Sequence, residues 1–302
     1  VARVTTIHMS YNITPSVLLV VPTSMGSQHT SEPLPNVGVV HCMHLRSASA
    51  FAGVQSLCEG LRNVGYLRTV MQPTYPLELH VNIHAATRLT KMRPAWRSLW
   101  DSVRPLSLSP ELHAVQITRR TASARASEPY LYKLAALMNT AFSSALFLDN
   151  DIRVIDPSLV HALLTSGLRV SDVAMPLDPG RGAWASQQPG LEVAPFLCTC
   201  VLAYRSTPAV RAWWRGAAAR LVEARHPHVR QTDQEMIWHE WVANRSELRV
   251  LPLPEEWYCP LQPGTADSTW HTSGYPARDY PCKSTHVHSV RVHIRSGGGG
   301  CS

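Results

Sequence analysis

Two aspartates one residue apart, placed directly after an apolar run, are the residues of this sequence best suited to chemistry. The run from Ala145 to Leu148 is typical of a buried strand, and Asp149, Asn150 and Asp151 follow it. Side chains at positions i and i+2 of an extended segment point the same way, so the two carboxylates can face one divalent cation. Mg²⁺ and Mn²⁺ prefer such oxygen ligands and usually complete their coordination with substrate phosphates. The pair therefore predicts a substrate that carries phosphate.

The same residues also have a structural interpretation, because Asp-Asn-Asp is a favourable turn sequence. Asp156 and Pro157 then fit the start of a helix, with the aspartate as N-cap and the proline in the first helical position. The two interpretations are compatible. A buried strand that ends on two acids has no packing reason to do so, and this favours the metal interpretation.

A second polar group opens a helix further along the chain. Thr232 and Glu235 match a capping box, in which each side chain accepts a bond from the other residue's backbone N–H. Asp233 and Gln234 then lie in the first helical turn. The positive end of the helix dipole favours an acid there, and a polar pair at this place could equally face a substrate. The pattern leaves both interpretations open.

Two histidines near the end of the chain, His286 and His288, share one face of a predicted short strand. Imidazole is a common ligand of transition metals such as Mn²⁺, so one of them could complete a site that two carboxylates leave open. The chain has 15 histidines, so a pair with this spacing also arises by chance. We therefore keep the chance interpretation beside the metal-ligand one.

Short apolar runs alternate with helical patterns, which predicts an α/β fold in which helices flank a mostly parallel sheet. We predict one domain over residues 36–295, preceded by an arm or linker at 1–35 and followed by a Gly-rich tail at 296–302. Ligands of such sheets bind beyond the carboxyl ends of strands, where Asp149 and Asp151 fall. The predicted strands cover 37–43, 77–83, 113–118, 144–148, 172–177 and 196–204, and the predicted helices cover 51–64, 92–103, 130–138 and the segment from 208.

Composition restricts the class of protein. An apolar content of 45% and a charged content of 16% are typical of a globular chain. The net charge of +7 comes almost wholly from scattered arginines without a basic block, so nucleic-acid binding is not indicated. No stretch of about 18 apolar residues occurs, so no segment is predicted to span a membrane. The chain begins on Val1, and we expect any signal or anchor to lie upstream of it.

Two features permit a location in the secretory pathway. Asn12 and Asn244 each begin an Asn-x-Ser/Thr sequon. Cys259 and Cys282 flank a Pro/Gly-rich loop, and we predict that they form a disulfide.

Several segments match a known pattern in the same order along the chain. They are Tyr132–Leu134, Leu146–Asp151, Val201–Arg205 before a Thr-Pro helix start, Asp233-Gln234, Leu251-Pro252 and a late histidine. In this order they resemble GT-A fold glycosyltransferases of the nucleotide-diphospho-sugar transferase type. That group includes plant cell-wall xylosyl- and arabinosyltransferases and, more distantly, glycogenin-like enzymes. A lone Asp-x-Asp is common in any proteome, whereas the motifs in this order are much more specific.

The resemblance implies a Rossmann-like GT-A sheet and a donor site around the aspartate pair. Asp149 and Asp151 match the motif that holds Mn²⁺, or Mg²⁺, and the nucleotide. Asn150 lies inside that motif, and Lys133 matches a basic residue suited to the nucleotide or its diphosphate. These four residues are the expected nucleotide-binding set.

The resemblance also implies a catalytic pair and a further metal ligand. Asp233 and Gln234 match the residues that line the donor sugar, and we expect them to be the catalytic residues. His286 or His288 matches the late histidine that binds the metal, and the strand pattern does not choose between them.

The expected function is metal-dependent transfer of a sugar from a nucleotide diphosphate donor, such as a UDP-sugar, to a hydroxyl of a glycan or glycoprotein in the Golgi lumen. One segment departs from the family pattern, because Cys198, Thr199 and Cys200 stand where an Asn-x-Gly is usual. Loss of that asparagine and glycine alters contacts to the donor or removes activity. The alternatives are therefore a non-catalytic GT-A domain that binds a glycan or a partner transferase and a metal-dependent phosphoesterase.

Overall fold

The computed structural model describes residues 36–46, 54–71, 74–108, 122–154, 158–176, 197–223, 232–243, 248–253, 259–260 and 284–286. The predicted arm at 1–35 and the tail at 296–302 lie outside these residues, as does the predicted strand at 113–118.

A seven-stranded sheet forms the centre of the molecule. Its strands, in chain order, are β1 Val37–Met43, β2 Leu77–Val81, β3 Ser102–Pro105, β4 Ser144–Leu148, β6 Val173–Pro176, β7 Val201–Arg205 and β8 Val250–Leu253. They are arranged in the order β3-β2-β1-β4-β7-β6-β8. Only β7 runs against its neighbours, since it pairs antiparallel with both β4 and β6.

The register of the first strands follows from their apolar sequences. β1 and β4 are buried along nearly their whole length, as expected for strands that are covered on both faces. Val39 of β1 lies opposite Leu77 of β2 on one side and Leu146 of β4 on the other. This is the α/β, Rossmann-like, single-domain architecture that the GT-A resemblance implied, and the prediction is confirmed.

The described helices cover both faces of the sheet. They are α1 Val54–Val70, α2 Ile83–Met92, α3 Ala122–Asn139, α4 Ser158–Ala162, α5 Leu168–Val170, α6 Pro208–Glu223 and α7 Asp233–Ala243. A π-helical turn, Leu163–Gly167, joins α4 to α5, and a 3₁₀ turn, Trp96–Leu99, precedes β3.

Each face of the sheet has its own apolar core. Leu57 and Leu61 of α1 pack with Leu89 of α2 on one face. On the other face Leu134 of α3 packs with Trp214 of α6. The side chains of both layers are almost fully buried, so the fold has the three layers expected when helices cover a parallel sheet on both sides.

The predicted helix at 92–103 is wrong, because the helix begins nine residues earlier, at Ile83, and ends at Met92. The side chain of Asn82 accepts a hydrogen bond from Ala85 N at 2.9 Å and caps α2. The same oxygen accepts a bond from Leu45 N at 3.2 Å, so the cap is tied to the chain after β1. Pro94 disfavours helical geometry at Arg93, and the helix ends before it.

A second, three-stranded sheet lies directly after the aspartate pair. Its strands are β5 Ile152–Val154, β9 Cys259–Pro260 and β10 Ser284–His286. β10 lies between the other two, antiparallel to β5 and parallel to β9. In this register His286 is opposite Ile152, so the late segment of the chain reaches the residue that follows Asp151.

One cysteine of α1 is oxidised. Cys58 forms a disulfide bond, which was not predicted from the sequence. The predicted pair of Cys259 and Cys282 lies outside the described side chains. The free thiols of the described residues are Cys42, Cys198 and Cys200.

Replacement of the bonded cysteine should weaken the fold. For Cys58→Ser we expect a loss of about 2 kcal/mol and a melting temperature lower by roughly 5 °C, because the unfolded chain is no longer constrained by the bridge. Differential scanning calorimetry measures this change, with Cys42→Ser as the control that removes a free thiol. Full alkylation of Cys58 in the denatured but unreduced wild-type protein would contradict the disulfide.

Within the described residues, no helix has the length and apolar character required to cross a membrane.

Candidate active site

The candidate site lies where the sheet changes the direction of its strand order. From β1 the chain continues outward to β2 and β3, whereas β4 lies on the opposite side of β1. Ligands of open α/β sheets bind in the crevice beyond the carboxyl ends of the strands at such a point. Asp149 follows the carboxyl end of β4 there, as the sequence predicted.

The aspartate pair forms a tight turn between β4 and β5. Ile152 N donates a hydrogen bond to Asp149 O at 3.0 Å, which closes the turn. Asp149 N donates to Cys200 O at 3.0 Å, so the turn is also bound to the segment that precedes β7. The turn interpretation of Asp-Asn-Asp is therefore confirmed. Because this is a turn, the carboxylates of Asp149 and Asp151 are brought near each other by turn geometry instead of strand alternation.

Asn150 fastens the turn to the protein. Its side-chain nitrogen donates to Cys42 O at 3.0 Å and to Ser56 Oγ at 3.3 Å. Its backbone oxygen accepts a bond of 2.7 Å from Asn63 Nδ2 on α1. The amide nitrogen of Asn150 is therefore committed to the scaffold. The nucleotide contact expected for this residue stays a prediction.

Lys133 joins the aspartate turn to the start of α7. Its Nζ lies 2.9 Å from Asp149 Oδ2 and 3.0 Å from Asp233 Oδ2. It also donates to Thr199 Oγ1 at 3.2 Å and lies 5.0 Å from the centre of the Phe147 ring. The side chains of Lys133 and Asp233 are only 9% and 6% exposed, whereas that of Asp149 is 27% exposed. The buried ammonium group of Lys133 thus neutralises the charges of two carboxylates, and the Asp149 carboxylate remains partly accessible to solvent.

The charges of this cluster depend on one another. Burial by itself would lower the pKa of Lys133, but the attraction of Asp149 and Asp233 outweighs burial and holds that pKa well above its usual value. Burial raises the pKa of Asp149 to about 6, although the charge of Lys133 opposes the rise. The neighbouring charges of Asp151 and Asp233 add to it. Lys133 is therefore a permanent ammonium group between Asp149 and Asp233.

The start of α7 holds Asp233 by local sequence. Thr232 Oγ1 accepts a bond from Glu235 N at 3.3 Å, and Glu235 Oε2 accepts one from Thr232 N at 3.2 Å. The predicted capping box is confirmed. Asp233 follows the cap and is buried toward Lys133, whereas Gln234 is half-buried on the next position. The structure thus brings Asp233 to the aspartate turn and leaves the role of Gln234 as a prediction.

Two carboxylates are the described donors that fit a divalent cation. Asp149 and Asp151 are oxygen ligands of the kind that Mg²⁺ and Mn²⁺ take, and phosphates of a substrate would supply further ligands. Among the described residues there is no group of three or more histidine, cysteine or acidic side chains suited to a metal ion. The backbone of His286 lies beside Ile152, and His288 lies outside the described residues. Neither histidine is placed in a metal site by the described side chains.

Sequence reasoning missed a polar and aromatic group next to Lys133 in the chain. The His44 ring, just after β1, stacks on Tyr132 with centroids 4.3 Å apart and an angle of 25°. His44 Nε2 also lies 3.5 Å from Glu128 Oε1. Because the contact joins segments almost ninety positions apart in the chain, no local pattern could have indicated it.

Sequence reasoning also missed the contacts of Thr199. It considered this residue only as part of the segment that replaces the usual Asn-x-Gly. The predicted strand at 196–204 is shorter in the structure, where β7 begins at Val201. Cys198–Cys200 instead forms a bend in which Cys200 N donates to Cys198 Sγ at 3.4 Å. The bend places the Thr199 hydroxyl against the charged cluster.

Cys42 closes one side of the cluster as an unreactive thiol. Burial raises its pKa to about 12, and the charge of Asp149 adds to the rise. It therefore remains protonated at neutral pH and is a poor nucleophile.

No protein-family model and no curated protein matches this chain. Among solved structures, it is similar to a galactosyltransferase, LgtC, in complex with donor and acceptor sugar analogs, with a TM-score of 0.49, 15% identity and coverage of 83% of this chain and 87% of that one. It is also similar to an active-site mutant of LgtC, with a TM-score of 0.47, 15% identity and coverage of 86% and 92%. At these values the similarity does not assign the chain to a family.

Proposed function

We propose that this protein is a metal-dependent glycosyltransferase that moves a sugar from a nucleotide diphosphate donor, a UDP-sugar, to a hydroxyl group of a glycan or glycoprotein. The observation that carries the proposal is the contact of buried Lys133 with both Asp149 and Asp233 at the carboxyl edge of the sheet. The residues that resemble a nucleotide and metal motif and those that resemble a sugar-lining motif are thereby neighbours. This proximity of Asp149 and Asp233 suits a nucleotide-sugar donor, because the bond that is broken in the reaction joins the diphosphate to the sugar.

The chemistry requires that the charge of the departing diphosphate be stabilised. A divalent cation, Mn²⁺ or Mg²⁺, held by Asp149 and Asp151 would supply Lewis acidity there. Lys133 is a fixed positive charge beside Asp149, so it adds to the stabilisation of the leaving group. In a site shielded from water such a charge is more effective than in solution.

Asp233 is suited to the sugar side of the reaction. Glycosyl transfer passes through an oxocarbenium-like centre, which a nearby carboxylate stabilises. The carboxylate of Asp233 is buried, and its Oδ2 lies 3.0 Å from Lys133 Nζ. We assign the charge stabilisation to Asp233, hydrogen bonding of sugar hydroxyls to Gln234, and contact with the nucleotide to Asn150.

Three further assignments belong to this proposal. His286 or His288 would be the last protein ligand of the metal, because the strand that carries His286 pairs with β5 directly after Asp151. The transferred sugar is a hexose or a pentose. The disulfide of Cys58 supports an oxidising compartment, which for a glycosyltransferase is the Golgi lumen.

A non-catalytic GT-A domain that binds a glycan or a partner transferase is the second candidate. The observation that favours it is the bend at Cys198–Cys200, which lacks the asparagine and glycine of the resembled pattern. Such a protein would bind UDP with Mn²⁺ but would neither transfer nor hydrolyse any donor sugar. A phosphoesterase has less support, because a two-metal site needs more ligands than one aspartate pair and the described residues contain no group of three or more metal-ligating side chains. It would release phosphate from a simple phosphoester.

The proposal is tested by UDP binding in isothermal titration calorimetry, with Mn²⁺ and with EDTA. We expect binding that needs Mn²⁺, and Asp151→Ala should weaken it at least about tenfold because one of two carboxylates is lost. Asp172→Ala is the matched control, since Asp172 lies before β6 at the opposite edge of the sheet and pairs with Arg249. Equal UDP affinity with Mn²⁺ and with EDTA in the wild type and in Asp172→Ala would refute the metal site. Release of UDP from a panel of UDP-sugars then separates an enzyme from a binding domain.

A further inference from the structure

Thr199 occupies the centre of the charged cluster. It is only 2% exposed. Its Oγ1 lies 2.8 Å from Asp233 Oδ2 and 3.2 Å from Lys133 Nζ. A buried hydroxyl within hydrogen-bonding distance of two charged groups affects the orientation of both groups.

The direction of both hydrogen bonds is fixed by chemistry. An ammonium group can only donate, so the Thr199 oxygen must accept from Lys133. An ionised carboxylate can only accept, so the single hydroxyl proton of Thr199 is directed to Asp233. The hydroxyl therefore has one arrangement that satisfies both neighbours. Its two bonds orient the carboxylate and the ammonium relative to each other.

The backbone around Thr199 is held on both sides. Cys198 N donates to Pro176 O at 2.8 Å, and the carbonyl of Cys200 accepts from Asp149 N at 3.0 Å. Since β7 runs antiparallel to β4, the start of β7 lies beside the end of β4, and this brings the bend to the aspartate turn. The position of the hydroxyl is thus set by the sheet.

We propose that Thr199 is a positioning residue for Asp233. Thr199 and Lys133 both contact Oδ2 of Asp233, so neither of these contacts uses Oδ1. The pair therefore decides which way the carboxylate is turned and which oxygen is left for a substrate. The inference rests on the proposed function, because it gives Asp233 its place beside the donor sugar.

The role predicts a specific split between chemistry and binding. Thr199 contacts the ammonium group of Lys133 and the carboxylate of Asp233, whereas the ion pair of Lys133 with Asp149 is direct and does not involve the Thr199 hydroxyl. Thr199→Val keeps the shape of the side chain and removes the hydroxyl. We expect kcat to fall by about 10- to 100-fold, because a misplaced group costs that much. The Kd for UDP with Mn²⁺ should stay within about threefold of the wild-type value.

The matched variants are Thr199→Ser, which keeps the hydroxyl, and Thr140→Val, which removes another buried hydroxyl. Thr140 accepts a bond from Phe142 N at 3.2 Å and lies before β4, at the other edge of the sheet. Thr199→Ser should restore most of kcat. Thr140→Val should lower the melting temperature without lowering kcat. Turnover is measured as UDP release from the UDP-sugar that the donor panel selects.

A second measurement does not depend on turnover. The chain has only three lysines, Lys91, Lys133 and Lys283, so ¹⁵N-lysine labelling gives few side-chain signals and Lys133→Met assigns one of them. Thr199→Val should shift the Nζ signal of Lys133 and accelerate exchange of its protons with water, because an acceptor is lost. Thr140→Val should leave that signal unchanged.

The outcomes separate the two proposals. Wild-type turnover that persists in Thr199→Val would overturn the positioning role and leave the proposed function intact. Absence of UDP binding and of turnover in the wild type would overturn the proposed function, and with it the substrate-directed role of Thr199. In that case an unchanged Lys133 signal in Thr199→Val would also remove the hydrogen bonds on which the inference is built.

Discussion

Lys133→Met is expected to lower the free energy of unfolding by about 3 to 5 kcal/mol, which is the usual cost of leaving buried charges without their partner. Methionine has a similar length and no charge, so packing against Phe147 is largely kept. Asp149 and Asp233 would then face each other without the ammonium group that now lies 2.9 Å and 3.0 Å from them. UDP binding with Mn²⁺ should be lost together with the stability.

Urea denaturation followed by circular dichroism measures the effect. Lys91→Met is the control, because Lys91 is exposed at the end of α2 and its loss should change stability by less than about 0.5 kcal/mol. Adding Asp233→Asn to Lys133→Met should recover at least about 1 kcal/mol, since one of the two unbalanced charges is removed. A Lys133→Met protein as stable as the wild type would show that the ammonium group is not the centre of the cluster.

Gly60→Val is expected to cost about 3 kcal/mol of stability and to displace the aspartate turn. A Cβ atom at Gly60 would lie 2.4 Å from Met43 Cε and 3.1 Å from Asn150 Oδ1. Met43 has a flexible side chain that can move, but Asn150 is fixed by its bonds to Cys42 and Ser56. The added methyl groups must therefore push the residue between the two aspartates. UDP affinity in the presence of Mn²⁺ should fall with stability.

Gly65 provides the matched control on the same helix. A Cβ atom at Gly65 would meet nothing within 4 Å, so Gly65→Val adds the same atoms in open space. Valine is a better helix former than glycine, and we expect a change within about 0.5 kcal/mol, with UDP affinity unaltered. Thermal unfolding and calorimetric titration of both variants decide the matter. Equal effects at the two glycines would show that helix propensity, and not contact with Asn150, governs the result.

The parts of the fold that sequence reasoning predicted are those with local causes. β1 and β4 have the predicted bounds, because each is an apolar run between polar residues. The capping box of Thr232 and Glu235 was also readable, since its two bonds join residues three positions apart. Such features need no knowledge of the rest of the chain.

What was missed depends on contacts between distant segments. Asn82 lies between β2 and α2, and its side chain forms two hydrogen bonds with the backbone of Leu45 in the segment after β1. The scaffold role of Asn150 depends on the close approach of α1 at Gly60. The role of Thr199 depends on the reversal of β7, which no pattern within 196–204 contains. In each case the residue type was visible, but its partner was not.

The place of β7 in the sheet also determines the order in which the molecule can be completed. β6 precedes β7 in the sequence, yet β7 lies between β6 and β4. While the chain leaves the ribosome, β1 to β4 can pair early, but the free edge of β4 has no partner until residues 201–205 have been synthesised. The nascent protein therefore carries an open, strongly apolar strand edge for some fifty residues of synthesis, and such edges invite pairing with other chains. β7 must therefore insert between β4 and β6 after both of these strands have been synthesised, and until then the open edge of β4 can pair with other chains.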